Sequence, residues 1–174
     1  KAYAKARRGK ALRDALATYT GVQAGNIVIG NGSEDILHML ALAFLNPGDR
    51  VVTLRPSFGL HEIFPRMMGA DVTLVDVNKQ HQFDIAAWTQ ALSMPAKMVI
   101  FSNPSNPVGC MLDNAGFERI IAAAPQDCVL EQPGLSGQPA CAGRAVAPLD
   151  CAAYFFESLR PGGIAGGLWL SQSP

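Results

Sequence analysis

Apolar positions alternate between two rhythms over the first 130 residues, one spaced for helices and one run together for strands. Ala11, Leu12, Ala15 and Leu16 share one helical face, so residues 10–20 are expected to form a helix that Gly21 stops. Asn26-Ile27-Val28-Ile29 reads as a short strand, and Gly30-Asn31-Gly32 as the sharp turn after it. Ser33 is a good N-cap, with Glu34 and Asp35 in the first turn of a helix that carries Ile36, Leu37, Leu40, Ala41, Phe44 and Leu45. Asn46-Pro47-Gly48-Asp49 ends that helix.

The alternation then repeats. Val51–Leu54 and Val72–Val75 are expected strands, separated by a Pro56-Ser57 turn and a helix over residues 59–68. A helix over residues 83–92 starts near Asp84, and residues 97–102 form the most apolar strand, running into Asn103-Pro104-Ser105-Asn106-Pro107. Asp113 can cap a helix through Ile120 and Ala124, and another strand begins over residues 127–130. Strands alternating with helices predict an α/β fold, a mostly parallel sheet with helices on both faces. After Leu130 glycine, proline, alanine and cysteine dominate, and no amphipathic period persists. The expectation is two regions: an α/β unit over residues 1–130 and an irregular tail over residues 131–174.

Composition narrows the function. The 174 residues are 49% hydrophobic and 16% charged, as in one globular domain. Fourteen basic and fourteen acidic side chains cancel, so no footprint for nucleic acid or an anionic membrane is expected. No apolar run is long enough to span a bilayer, and the first residues lack the apolar core of a signal peptide, which points to the cytoplasm. Cys110, Cys128, Cys141 and Cys151 show no CxxC spacing and no nearby histidine cluster, so no metal is expected. His38, His61 and His81 are scattered and read as packed or surface residues.

Three segments at carboxyl ends of strands can carry chemistry. Gly30-Asn31-Gly32-Ser33-Glu34-Asp35 offers free backbone N–H groups and a positive helix end to an anion; the alternative is a plain strand-to-helix turn. It is neither a GxGxxG fingerprint nor a P-loop, which counts against a dinucleotide-binding domain. Phe58, in Pro56-Ser57-Phe58-Gly59, can lie flat against a heteroaromatic ring, or be an ordinary core residue. Ser102 to Gly109 forms a stiff loop with two Asn-Pro steps, where an asparagine can donate to an oxyanion; otherwise it is a rigid turn.

Taken together, the runs GNGSEDILHMLALAFLNPGDRVV, PSFGLHEIFPRMMGADV and NPSNPVG closely resemble fold-type-I pyridoxal-phosphate-dependent aminotransferases, nearest to their histidinol-phosphate-aminotransferase-like group. The resemblance spans roughly residues 10 to 130. It implies a partial three-layer sandwich, the front of the aminotransferase large domain, and pyridoxal 5'-phosphate as cofactor. Gly32, Ser33 and Glu34 match the turn that binds the cofactor phosphate, Phe58 the ring that stacks on the pyridine, and Asn106 the amide that bonds the 3′ oxygen. Val108 stands where threonine is common. The implied partners are a small-molecule amino donor and a 2-oxo acid, with a homodimer in intact relatives. A related decarboxylase and a non-catalytic phosphate-binding module are the alternatives.

The family also needs a downstream lysine whose amine joins the cofactor and moves a proton, and an aspartate facing the pyridine nitrogen. Here the last lysine is Lys97, and Leu130 is followed by Glu131-Gln132-Pro133-Gly134, so no catalytic residue is assigned and the chain by itself is expected to be inactive. The tail suggests why. TTC GAA AGC CTT CGG CCT GGC GGG is one legal encoding of Phe156 to Gly163; read one nucleotide later it spells Ser-Lys-Ala-Phe-Gly-Leu-Ala, the segment expected around that lysine. The expectation is a reading frame that slips shortly after Leu130, by mutation or sequencing error.

Overall fold

A computed structural model describes residues 10–18, 23–30, 33–125, 129–135, 152–157 and 167–170; beyond residue 125 it describes backbone pairing alone. Residues 10–18 are helical (α1). Then come β1 (Ile27–Gly30), α2 (Ser33–Phe44), β2 (Arg50–Arg55), α3 (Leu60–Met67), β3 (Asp71–Asp76), α4 (Ile85–Leu92), β4 (Met98–Ile100) and α5 (Asn114–Ala123). Three further strands follow, β5 (Val129–Leu135), β6 (Ala152–Glu157) and β7 (Gly167–Leu170). Asp113 caps α5 as expected, accepting from the Gly116 backbone at 2.7 Å, and Asp84 caps α4, accepting from that of Ala87 at 3.0 Å; Ser33, the other expected cap, is the first residue of α2.

The strands make one sheet in the order β1-β7-β6-β5-β4-β2-β3. β2 is parallel to β3 and β4, and β5 is parallel to β4 and β6. β7 is antiparallel to both β6 and β1, so β1 points the same way as β2 to β6. All carboxyl ends except that of β7 therefore lie along one edge of the sheet.

Side chains alternate between the two faces, as a pleated strand requires. Val52 and Leu54, with Val99 and Phe101, pack under α4 and α5 against Trp88, Leu92, Phe117 and Ile120. Val51, Met98 and Ile100 meet Ile36, Leu37, Leu40 and Ala41 of α2 and Phe64 of α3 on the other face. A sheet buried on both faces reads as continuous apolar runs, which is why Val51–Leu54 and Met98–Phe101 show no polar alternation. Helices thus cover both faces, as a three-layer sandwich demands.

Within the region expected to be an irregular tail, three short stretches pair as strands. β5 continues through Pro133 to Leu135, and β6 and β7 close the sheet towards β1. Ladder pairing draws on backbone N–H and C=O groups and needs no amphipathic period. β4 pairs β5 only from Val129 to Glu131, so Pro133 is paired on the β6 side alone, opposite Phe155. Residues 136–151, 158–166 and 171–174, including most of the Phe156 to Gly163 segment, lie outside the described residues.

Candidate functional site

The carboxyl edge gathers the segments singled out in the sequence. β2 and β4 are neighbours in register, Val51 opposite Met98 and Thr53 opposite Ile100, so the loops bearing Phe58 and Asn106 leave the sheet side by side. α2 begins at the same edge, after β1, and packs back over the sheet: its Ile36 and Leu37 share a core with Met98 and Ile100. Its N-terminus is thereby carried towards the β2 and β4 loops. Ser33 is its first residue and Glu34 is exposed; Gly32 and the Ser33 side chain lie outside the described residues.

Between α2 and α3 lies a hollow of about 410 Å³ lined by Glu34, Asp35, His38 and Phe64. The His38 ring stacks on Phe64 with centroids 4.9 Å apart and planes 14° from parallel.

Phe58 stands at the turn between β2 and α3 and is 37% exposed, so part of its ring is open to solvent rather than packed in the core. Beneath it the turn is tied. The Ser57 hydroxyl and His61 Nδ1 are 2.8 Å apart, and the His61 ring meets Phe58 edge to face, with centroids 5.8 Å apart and planes at 84°. His61 is buried, and burial pushes its imidazole down to about pKa 4, so it is neutral near pH 7. Beside the turn, Arg55 donates to both carboxylate oxygens of Asp76 at 2.6 and 2.7 Å. Those hydrogen bonds hold the Asp76 carboxyl below its ordinary range and raise the Arg55 guanidinium.

Asn106 is exposed at the tip of a loop held together from below. The buried Asn103 side chain donates to the Leu112 carbonyl at 3.2 Å and accepts from the Leu112 N–H at 2.9 Å, imitating a strand pair across nine residues. Ser105 N–H donates to the Cys110 carbonyl at 2.8 Å, and Asn106 N–H to the Ser102 hydroxyl at 3.0 Å. Gly109 takes φ 78°, a left-handed geometry that suits glycine. The Asn103–Pro104 and Asn106–Pro107 peptides are cis. Val108 packs against the core under α4 and α5, which gives an apolar residue a reason at that position.

An exposed ring face, an exposed amide and a helix N-terminus on one edge suit a planar aromatic ligand with an anionic arm. The buried supports, His61 and Asn103, are absent from the sequence-derived site. The signal for His61 was its spacing, three residues after Phe58 and four after Ser57, close enough for a turn entering a helix to bring the three together. Among the described residues no cluster of histidine, cysteine, aspartate or glutamate has a geometry able to hold a metal ion. Nor is any described helix long and apolar enough to cross a membrane.

Comparison with known proteins bears on the family and the fold. The profile for aminotransferase class I and II matches residues 1–130. Histidinol-phosphate aminotransferase 1 of Mesorhizobium japonicum is 40% identical over 122 residues, covering 70% of this chain and 33% of the relative. Histidinol-phosphate aminotransferase of Caldanaerobacter subterraneus is 36% identical over 114 residues, covering 65% and 32%. The chain thus spans about a third of the length of the curated relatives it matches. Among solved structures, histidinol-phosphate aminotransferase from Sinorhizobium meliloti in complex with pyridoxal-5'-phosphate superposes with a TM-score of 0.74 at 21% identity, over 94% of this chain and 46% of that one. A Thermus thermophilus aspartate aminotransferase mutant gives 0.75 at 18%, over 94% and 48%. At such identities the likeness is one of fold. The profile spans most of the chain, and by that measure the chain belongs to the aminotransferase class I and II family.

Proposed function

We propose that the carboxyl edge is a pyridoxal 5'-phosphate site, and that the whole protein moves an amino group from a phosphorylated amino alcohol such as histidinol phosphate to a 2-oxo acid. One observation carries the reading: Phe58 and Asn106 leave adjacent, in-register parallel strands at the edge where α2 begins. The backbone N–H groups at the start of α2, with Gly32, Ser33 and Glu34, take the phosphate. Phe58 covers one face of the pyridine ring, and the Asn106 amide donates to the ring oxygen. Bound cofactor supplies an electron-accepting ring that stabilises negative charge at the substrate carbon. The phosphorylated donor is inferred from what the curated relatives are called. By the same reading the whole protein works as a homodimer.

No lysine follows Lys97, so the amine that joins the cofactor is not supplied by residues 98–174 as written. The division at residue 130, with an out-of-frame tail after it, is part of the proposal. The profile match ending at residue 130 supports it.

The test is a titration of the chain with pyridoxal 5'-phosphate, followed by the circular dichroism that a bound chromophore acquires. Saturable binding is expected. Phe58→Ala should weaken it about 2- to 10-fold, the value of one stacked ring, and Asn106→Ala by a similar factor for one hydrogen bond. Binding that neither substitution changes would overturn the assignment.

A further inference from the structure

The turn that carries Phe58 contains a polar pair to which the proposed function gives no role. Ser57 and His61 are four residues apart, and their side chains meet at 2.8 Å. His61 is 1% exposed, and its other ring nitrogen, Nε2, has no hydrogen-bond partner among the described residues. Among those residues the Ser57 contact is therefore the one side-chain hydrogen bond that orients the imidazole. The imidazole in turn meets Phe58 edge to face. The backbone closes the same turn, His61 N–H donating to the Phe58 carbonyl at 2.9 Å.

A phenylalanine ring takes part in no conventional hydrogen bond, so the rotamer of Phe58 is set by what packs against it. An exposed phenylalanine on such a turn samples several rotamers, and binding a flat ligand then costs the entropy of choosing one. A buried polar ring held by a single hydrogen bond is itself expensive unless it does something. Here the same ring is the wall against which Phe58 rests.

We propose that His61 is a positioning residue: locked by Ser57, it holds the Phe58 ring in one orientation, so that the stacking face is preset before ligand arrives. The proposal rests on the reading of Phe58 as the stacking ring. Ser57 and His61 touch no ligand in this scheme and act only through Phe58.

The experiment compares Ser57→Ala, His61→Phe, the double variant and Ser57→Thr with the parent chain. Two quantities are read: the Phe58 side-chain rotamer, from three-bond NMR couplings without ligand, and the affinity for pyridoxal 5'-phosphate. Ser57→Ala and His61→Phe remove the same hydrogen bond, and the second keeps an aromatic ring in the buried space. The expectation is a single Phe58 rotamer in the parent and in Ser57→Thr, and averaged couplings in the other three. Affinity should fall about 3- to 10-fold in each single variant and no further in the double, because the two changes break one bond. A parent Phe58 that is already averaged, or a Phe58 still fixed in both single variants, overturns the proposal whatever the ligand does. If Phe58→Ala leaves binding unchanged while the rotamer results hold, the stacking reading fails and the positioning of Phe58 by His61 stands.

Discussion

His61 ties acidity to stability at the level of one side chain. Its folded pKa of about 4 lies below the ordinary value of 6.5, because burial disfavours the imidazolium. Above pH 6.5 the ring is neutral folded and unfolded, and pH has no leverage through it. Between pH 6.5 and about 4 the unfolded chain takes up a proton that the folded chain does not, so stability falls as pH falls. The full effect is on the order of 3 kcal/mol, reached near the lower limit. Urea unfolding at several pH values across that window should show a drop in the parent that is smaller by about this amount in His61→Phe. Equal slopes in both would remove His61 as the cause. None of this was legible from three scattered histidines, because burial is decided by tertiary packing. Phe58 and Asn106 were singled out only by the joint resemblance of three segments, because a strand-end aromatic or an Asn-Pro step taken alone has ordinary structural uses.

The loop from Asn103 to Leu112 is irregular and is held by several hydrogen bonds of its own. Asn103 satisfies both backbone groups of Leu112 in a buried setting, so Asn103→Ala leaves two polar groups there without partners. The expected loss is about 2–4 kcal/mol, since a buried group left unpaired costs roughly 1–3 kcal/mol. Chemical denaturation measures it, and a loss below about 1 kcal/mol would mean the loop holds its shape by other means. The sequence marked this loop as rigid through its prolines, but not which asparagine ties it and which is left free. That distinction depends on Leu112, nine residues on, and short-range patterns do not register it. Helices and the first strands were legible for the opposite reason: capping residues such as Asp84 and Asp113 and runs such as Val51–Leu54 are local signals. The start of β5 was legible in the same way, whereas β6 and β7 were not, because pairing such as Leu130 with Ala152 is a long-range property of backbone.

For the molecule as a whole, the sheet places the site and the last strands finish the sheet. β5, β6 and β7 lie between β4 and β1, so the region written after residue 130 separates the Asn106 loop from the strand that leads to Ser33. A frame slip there would change the side chains of those strands and not those of the two cores around β2 and β4, whose described residues all precede Leu130. Sequencing the DNA from the codon of Asp127 to that of Pro174 should reveal one added or lost nucleotide, whose correction restores the Ser-Lys segment. An unbroken frame would show instead that Glu131 to Pro174 is the true continuation. The central claim, however, concerns the edge built by residues 27–112, and a crystal structure of the chain soaked with pyridoxal 5'-phosphate tests it most directly. The account predicts the phosphate against the backbone at Ser33, the pyridine ring flat on Phe58 and its oxygen at the Asn106 amide. Cofactor bound elsewhere, with Phe58 and Asn106 both uncovered, would contradict it.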